Sequence, residues 1–232
     1  MATGGSHVPG FASNSTIRFC ALAVLLCTVS LLGACNILGP VAYIVHGPPK
    51  VKAKHELNPE LKTVIFVDDR ANRLPRRSLK NVIGQAAEEM LIAKGVIPQD
   101  NMIAARSATI AASNETASEL MSIAEIGQAV GVDLVIYVRI EGFTISRDGA
   151  TVQPVAGAMV KLIDANENRR VWPAERAGFP VKVQLPATGA PIPPNRSDLN
   201  RMEIGLAETL GVQISRVFFT YERDALSGSL DD

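Results

Sequence analysis

Two apolar runs without a polar face place the strongest limit on the fold of this chain. Thr63–Val67 is continuous and rich in β-branched residues, and Val132–Glu141 begins in the same way before polar residues start to alternate. Runs of this kind are typical of strands that are buried on both faces of a sheet. The chain therefore needs layers packed against its sheet, which favours an α/β architecture.

Apolar residues recur at helical spacing in three other stretches. They are 79–91, 120–130 and 199–218, and each is long enough for several helical turns. Thr116 and Glu119 have the spacing of a capping box before the second stretch. The sequence therefore predicts about three helices.

Further strand signals complete the predicted sheet. Residues 102–105 are a weak strand candidate, residues 152–163 are a longer one, and Arg170–Trp172 is expected to pair back on it as a hairpin. Ser197 or Asp198 is expected to cap the last helix. The order strand, helix, strand, helix, three strands and helix predicts an α/β layered sandwich. Its mixed sheet is parallel in the first half and carries an antiparallel hairpin in the second.

A single cysteine follows the apolar run Phe19–Gly33. Leu32–Cys35 resembles a bacterial lipobox, in which a signal peptide is cut before the cysteine and the thiol carries a diacylglycerol. The resemblance implies a signal peptide over 1–34 and a lipidated Cys35, with palmitate among the acyl chains. An uncleaved anchor over Phe19–Leu38 and a simple secretory signal are the alternatives.

The lipobox divides the chain into successive parts. Residues 35–59 are expected to be a lipidated N-terminus and tether, because Pro and Gly are frequent in them. Residues 60–222 are expected to form one α/β domain, and residues 223–232 a disordered tail. The tether contains a basic cluster formed by Lys50, Lys52 and Lys54.

Composition and histidine placement exclude several classes of function. The chain has 23 basic and 23 acidic residues and lacks the basic stripe that a nucleic-acid partner requires. His7 lies in the signal and His46 and His55 lie in the tether, so no catalytic or zinc-binding pair can be placed in the fold. Cys20 and Cys27 leave with the signal, so the mature chain depends on its hydrophobic core. We expect no cofactor, no metal and no enzymatic activity.

Asp68 and Asp69 directly follow the first strand and are the strongest candidates for chemistry. Ligands of open α/β sheets bind at the carboxyl ends of strands, and the Pro/Gly-rich loop Ala174–Pro194 is long enough to be functional. An exported hydrolase or a small-ligand-binding protein that uses these residues is therefore the alternative function. The same carboxylates could instead cap a turn and pair with Arg70 or Arg73.

Four arginines form the densest basic patch of the sequence: Arg70, Arg73, Arg76 and Arg77. As an interaction patch they would take an anionic partner, such as a lipid headgroup, a cell-wall polymer or an acidic protein surface. The alternative is a solvated face that is balanced by nearby acidic residues.

Two stretches resemble bacterial envelope lipoproteins of the curli-secretion channel and penicillin-binding-protein activator type. Ile126–Ile140 resembles their helix-to-strand passage, and Met159–Trp172 resembles the strand, turn and Trp-bearing strand that follow. The resemblance implies helices packed on a sheet, a role in binding or assembly, and a homo-oligomer as one option. We therefore expect a non-enzymatic lipoprotein on the periplasmic side of the cell envelope, held to the membrane by its lipid, with an envelope-protein or cell-wall partner. Asn36 after the cysteine favours the outer membrane.

Overall fold

The structure is a computed structural model and describes residues 50–113 and 120–222. The predicted signal peptide, Cys35, the Thr116–Glu119 capping spacing and the tail 223–232 lie outside the described residues. Within these residues the helices are α1 (Leu79–Ala93), α2 (Ala105–Ser113), α3 (Ile123–Ala129) and α4 (Arg196–Ser215). The strands are β1 (Lys50–Val51), β2 (Thr63–Asp68), β3 (Met102–Ile103), β4 (Leu134–Thr144), β5 (Val155–Asp164), β6 (Arg169–Trp172), β7 (Phe179–Gln184) and β8 (Tyr221–Glu222). None of the described helices has the length and apolar character needed to cross a membrane.

The main sheet is mixed, as the sequence predicts. Its order is β3-β2-β4-β5-β6, and β7 also pairs with β5 beside β6. β3, β2 and β4 are mutually parallel where they pair, because helices connect them, whereas β5 runs antiparallel to β4, β6 and β7. The mixed α/β fold with a parallel first half and an antiparallel second half is confirmed.

Helices cover both faces of the sheet, because successive strand side chains point to opposite faces. On one face, α1 and α4 pack against alternate residues of β2, β4 and β5, and the buried core includes Ile65, Val67, Ile136, Val138, Leu79, Ile83, Leu206 and Leu210. On the other face, α2 and α3 pack against the remaining residues of β2 and β4, and the buried core includes Val64, Phe66, Val135, Ala108 and Ile126. The described domain is thus a three-layer sandwich.

The helix prediction needs two corrections. Residues 102–105 were expected to be a strand, but the strand ends at Ile103 and α2 begins at Ala105, whose N–H donates to the Glu88 carboxylate over 2.9 Å. The last helix begins two or three residues earlier than a cap at Ser197 or Asp198 would place it, because the Asn195 side chain accepts from the Asp198 N–H and caps the helix. The described part of the chain therefore has four helices rather than about three.

Residues 50–59, predicted to belong to the tether, pack on the domain. β1 pairs antiparallel with β8, and the N–H groups of Lys54 and His55 donate to the Val217 carbonyl over 2.8 and 3.3 Å. Leu57 is buried in the main core. The folded unit therefore starts ahead of residue 60.

The predicted loop Ala174–Pro194 contains β7, which pairs with β5 along its whole length. Beyond β7 the chain continues along the segment before β5: the Val152 N–H donates to the Ala190 carbonyl over 2.9 Å, and the Ile192 N–H donates to the Ala150 carbonyl over 3.1 Å. These hydrogen bonds hold much of the loop against the sheet.

Candidate functional site

Asp68 ends β2 and is buried, with 6% of its surface exposed. Its Oδ2 accepts a 2.8 Å hydrogen bond from the Tyr137 hydroxyl and a 3.4 Å ionic contact from Arg70 Nη1, and its Oδ1 accepts from the Arg70 N–H over 2.9 Å. The carboxylate therefore joins the end of β2 to β4 and to the loop that follows β2.

The phenol of Tyr137 is held in its neutral form. Burial, followed by the hydrogen bond to the carboxylate of Asp68, raises the pKa of Tyr137 well above its usual range, against the opposing charges of Arg139 and Arg70. The hydroxyl therefore stays a donor to Asp68 and is a poor acid at neutral pH.

We expect Tyr137→Phe to lower the free energy of unfolding by about 1.5 kcal/mol at neutral pH, because Asp68 loses a hydrogen bond to its charged oxygen. The pKa of Tyr137 is higher in the folded state than in the unfolded state. Above pH ~10 the tyrosine therefore ionises first in the unfolded state, and the stabilisation of the folded wild type is lost as pH rises further. Urea unfolding of both proteins at neutral and alkaline pH tests this. A stability difference that stays constant up to high pH would contradict it.

Asp69 shapes the loop after β2. Its two carboxylate oxygens accept from the N–H groups of Arg73 and Leu74 over 2.6 and 3.1 Å, and its carbonyl accepts from the Asn72 N–H over 2.9 Å. Asn72 has a positive φ of 51°, which Asn tolerates better than most residues. The carboxylate of Asp69 thus stabilises a tight turn.

Two of the four patch arginines bind buried acids. Arg70 contacts Asp68 and also donates to the Met121 carbonyl over 3.2 Å. Arg76 Nε donates to Glu203 Oε2 on α4 over 2.8 Å, and the Glu203 side chain is only 8% exposed. Arg73 and Arg77 are exposed. Arg70 is also exposed, at 37% of its side chain, although it pairs with Asp68. The interaction patch remains a prediction.

The structure separates the two halves of the predicted hydrolase site. In the sheet register Asp68 pairs with Arg139, Arg139 with Met159, and Met159 with Pro180 of β7. Adjacent strands are about 4.8 Å apart, so about 14 Å of sheet lies between Asp68 and β7. Among the described residues no group of three or more His, Cys, Asp or Glu is placed to hold a metal ion.

A second candidate site, a cavity lined by basic side chains, lies next to the first described residues. A cavity of about 250 Å³ opens between residues 51–54, β7 and the end of α4. Four cationic side chains line it: Lys52, Lys54, Lys182 and Arg216. The sequence indicated only the lysines of residues 50–54. Lys182 and Arg216 are far from them along the chain, and only the fold brings them to the cavity.

A neighbouring cavity extends this basic region. It is lined by Lys50, Lys94, Arg216 and Glu222, together with Met90, Phe219, Thr220 and Tyr221. Arg216 lies between the two cavities, its guanidinium 4.7 Å from the centre of the Tyr221 ring. Both cavities thus share one basic wall beside the β1–β8 pair.

No protein-family model matches the chain, and no curated protein matches it. Similar solved structures include a PelC dodecamer from Paraburkholderia phytofirmans, at 12% identity over 73% of this chain and 93% of that chain, with a TM-score of 0.42. They also include a lipoprotein from Neisseria meningitidis, at 11% identity over 64% of this chain and 96% of that chain, with a TM-score of 0.36. At such TM-scores, neither the function nor the assembly state of this chain can be inferred from these proteins.

Proposed function

We propose that this chain is a lipid-anchored protein of the bacterial envelope whose α/β domain binds a partner rather than catalysing a reaction. The observation that carries the proposal is the lipobox-like Leu32–Cys35 at the end of an apolar run, followed after residues 36–49 by a folded domain. Signal cleavage before Cys35 and acylation of its thiol would hold the domain on the periplasmic side. Asn36 favours the outer membrane.

A binding role is supported by what the acidic side chains of the domain already do. Asp68 accepts from Tyr137 and Arg70, Asp69 accepts from backbone N–H groups, and Glu203 pairs with Arg76. A carboxylate that acts in catalysis must reach a substrate proton or atom at hydrogen-bond distance. These three carboxylates hold loops and helices in place instead, so the hydrolase or ligand-binding alternative has less support. The partner we propose is an envelope protein or a cell-wall polymer, and a homo-oligomer is a further option.

We expect Cys35→Ser to abolish acylation, because serine lacks the thiol that carries the diacylglycerol. Intact-mass measurement and metabolic lipid labelling in a bacterial host should show the added acyl mass in the wild type alone. The variant should also leave the membrane fraction or remain as an unprocessed precursor. Cys27→Ser is the matched control, because Cys27 lies within the predicted signal and its loss should leave acylation intact. A Cys35→Ser chain that is processed and fractionates like the wild type would end the lipoprotein proposal.

A further inference from the structure

The segment Lys50–Leu57 forms a strap on the domain that has exposed and inward-facing residues. Its residues alternate between more and less exposed positions, and the chain bends at Lys54 and His55. The outward residues are Lys50, Lys52, Lys54 and Glu56, and the inward ones are Val51, Ala53, His55 and Leu57. Pairing with β8 and the hydrogen bonds to Val217 hold the strap on the domain, and its three lysines are exposed.

Aromatic packing locks the inward side of the strap. The His55 ring stacks on Trp172 with ring centres 5.5 Å apart, and Trp172 also contacts Phe179 and Phe218 at 5.2 and 6.1 Å. Burial lowers the pKa of His55, against the opposing charge of Glu56, so a neutral imidazole packs there. The lysines of the strap therefore lie next to a residue that packs on the aromatic side chains of the domain.

The fold adds further cations to the lysines of the strap. Lys182 projects from β7 into the cavity shared with Lys52 and Lys54, and Arg216 at the end of α4 lines its wall. Of the described residues that line this cavity, none is acidic. The neighbouring cavity adds Lys50 and Lys94, with Glu222 as its one acidic lining residue among those described, so the positive charge extends around the β1–β8 pair.

We propose that this basic face binds the phosphate headgroups of anionic lipids in the membrane that carries the anchor; the inference rests on the lipid-anchor proposal. The chain continues from Lys50 back through residues 36–49 to Cys35, and an extended chain spans at most about 3.5 Å per residue. The strap is therefore the part of the domain nearest to the anchor along the chain. Several cations on one face suit an array of phosphates, because each lysine near an anionic bilayer strengthens binding about fivefold.

Lysine acetylation followed by mass spectrometry tests the proposal on the full, acylated chain. The protein is inserted into vesicles of phosphatidylcholine alone or of phosphatidylcholine with phosphatidylglycerol. Acetylation of Lys52, Lys54 and Lys182 should be about fivefold slower in the anionic vesicles, and high salt should remove the difference. Lys62, which is exposed and lines neither cavity, should react equally in both. Equal labelling of the three cavity lysines in the two vesicles would overturn the proposal.

Two further experiments identify the source of the phosphate that the lysines contact. Lys52→Gln with Lys182→Gln should remove the protection of Lys54 in anionic vesicles, whereas Lys62→Gln should leave it unchanged. Protection of the same lysines by inorganic phosphate without vesicles, to the same extent, would overturn the headgroup assignment. Intact mass separates the two proposals: a chain without acyl mass overturns the lipid anchor and this inference with it. An acylated chain whose lysines label equally overturns this inference alone.

Discussion

Gly211→Ala is expected to lower the free energy of unfolding by about 3 kcal/mol, one of the largest effects of any single methyl group in this domain. Gly211 lies where α4 crosses α1, and a Cβ there would meet the Ile83 carbonyl and come within 2.8 Å of the Ala86 Cβ. The atoms it meets are helix backbone and a methyl group, so the two helices must move apart. Urea unfolding followed by Trp172 fluorescence measures the loss.

Gly205→Ala is the matched control for this substitution. Gly205 lies on the same helix, and a Cβ there would have no atom within 4 Å apart from its chain neighbours and the backbone of its own helix. Alanine should therefore stabilise the protein by up to about 1 kcal/mol through helix propensity alone. If Gly211→Ala were as stable as Gly205→Ala, the close crossing of α1 and α4 would be wrong.

Arg76→Ala is expected to cost about 3 kcal/mol of unfolding free energy. The substitution leaves the carboxylate of Glu203, which is 8% exposed, without its 2.8 Å partner. The Arg76 side chain is 34% exposed, whereas the carboxylate is buried, and removing the partner of a buried charge is costly because that charge loses its compensation. Arg76 also donates to the Asn200 carbonyl over 3.4 Å, so the start of α4 loses a second contact.

Two variants separate the ion pair from general effects of the loop. Arg77→Ala removes an exposed neighbouring arginine and should change stability by less than about 0.5 kcal/mol. Glu203→Gln combined with Arg76→Ala removes the uncompensated charge and should be more stable than Arg76→Ala alone. If the single and double variants were equally destabilised, charge burial would not be the cause.

Strong local patterns predicted much of the fold. The apolar run Thr63–Val67 became β2, and the helical stripe in 79–91 became α1, because each pattern spans a complete element with one periodicity. α2 was missed because its buried residues, Ala105 and Ala108, are small and give no stripe of large apolar side chains. β7 lies in a segment that was predicted to be a loop, because Pro and Gly are frequent around it and Pro180 lies within it.

The long-range contacts of the candidate sites could not be predicted in this way. Arg76 and Glu203 are 127 positions apart, and the pattern around each indicates only a loop and a helix. Likewise, Lys182 joins Lys52 and Lys54 because β7 pairs with β5 on the side next to the strap. Such long-range contacts depend on sheet order and strand register, which local periodicity does not encode.

The pairing of β1 with β8 has a mechanical consequence. Lys50 pairs with Glu222, so the two ends of the described domain leave from the same end of a two-stranded ribbon. A force that pulls these ends apart would first unzip this ribbon, one residue pair at a time. The six-stranded sheet lies outside that first load path. A domain built in this way can yield at its ends under tension while its core remains folded.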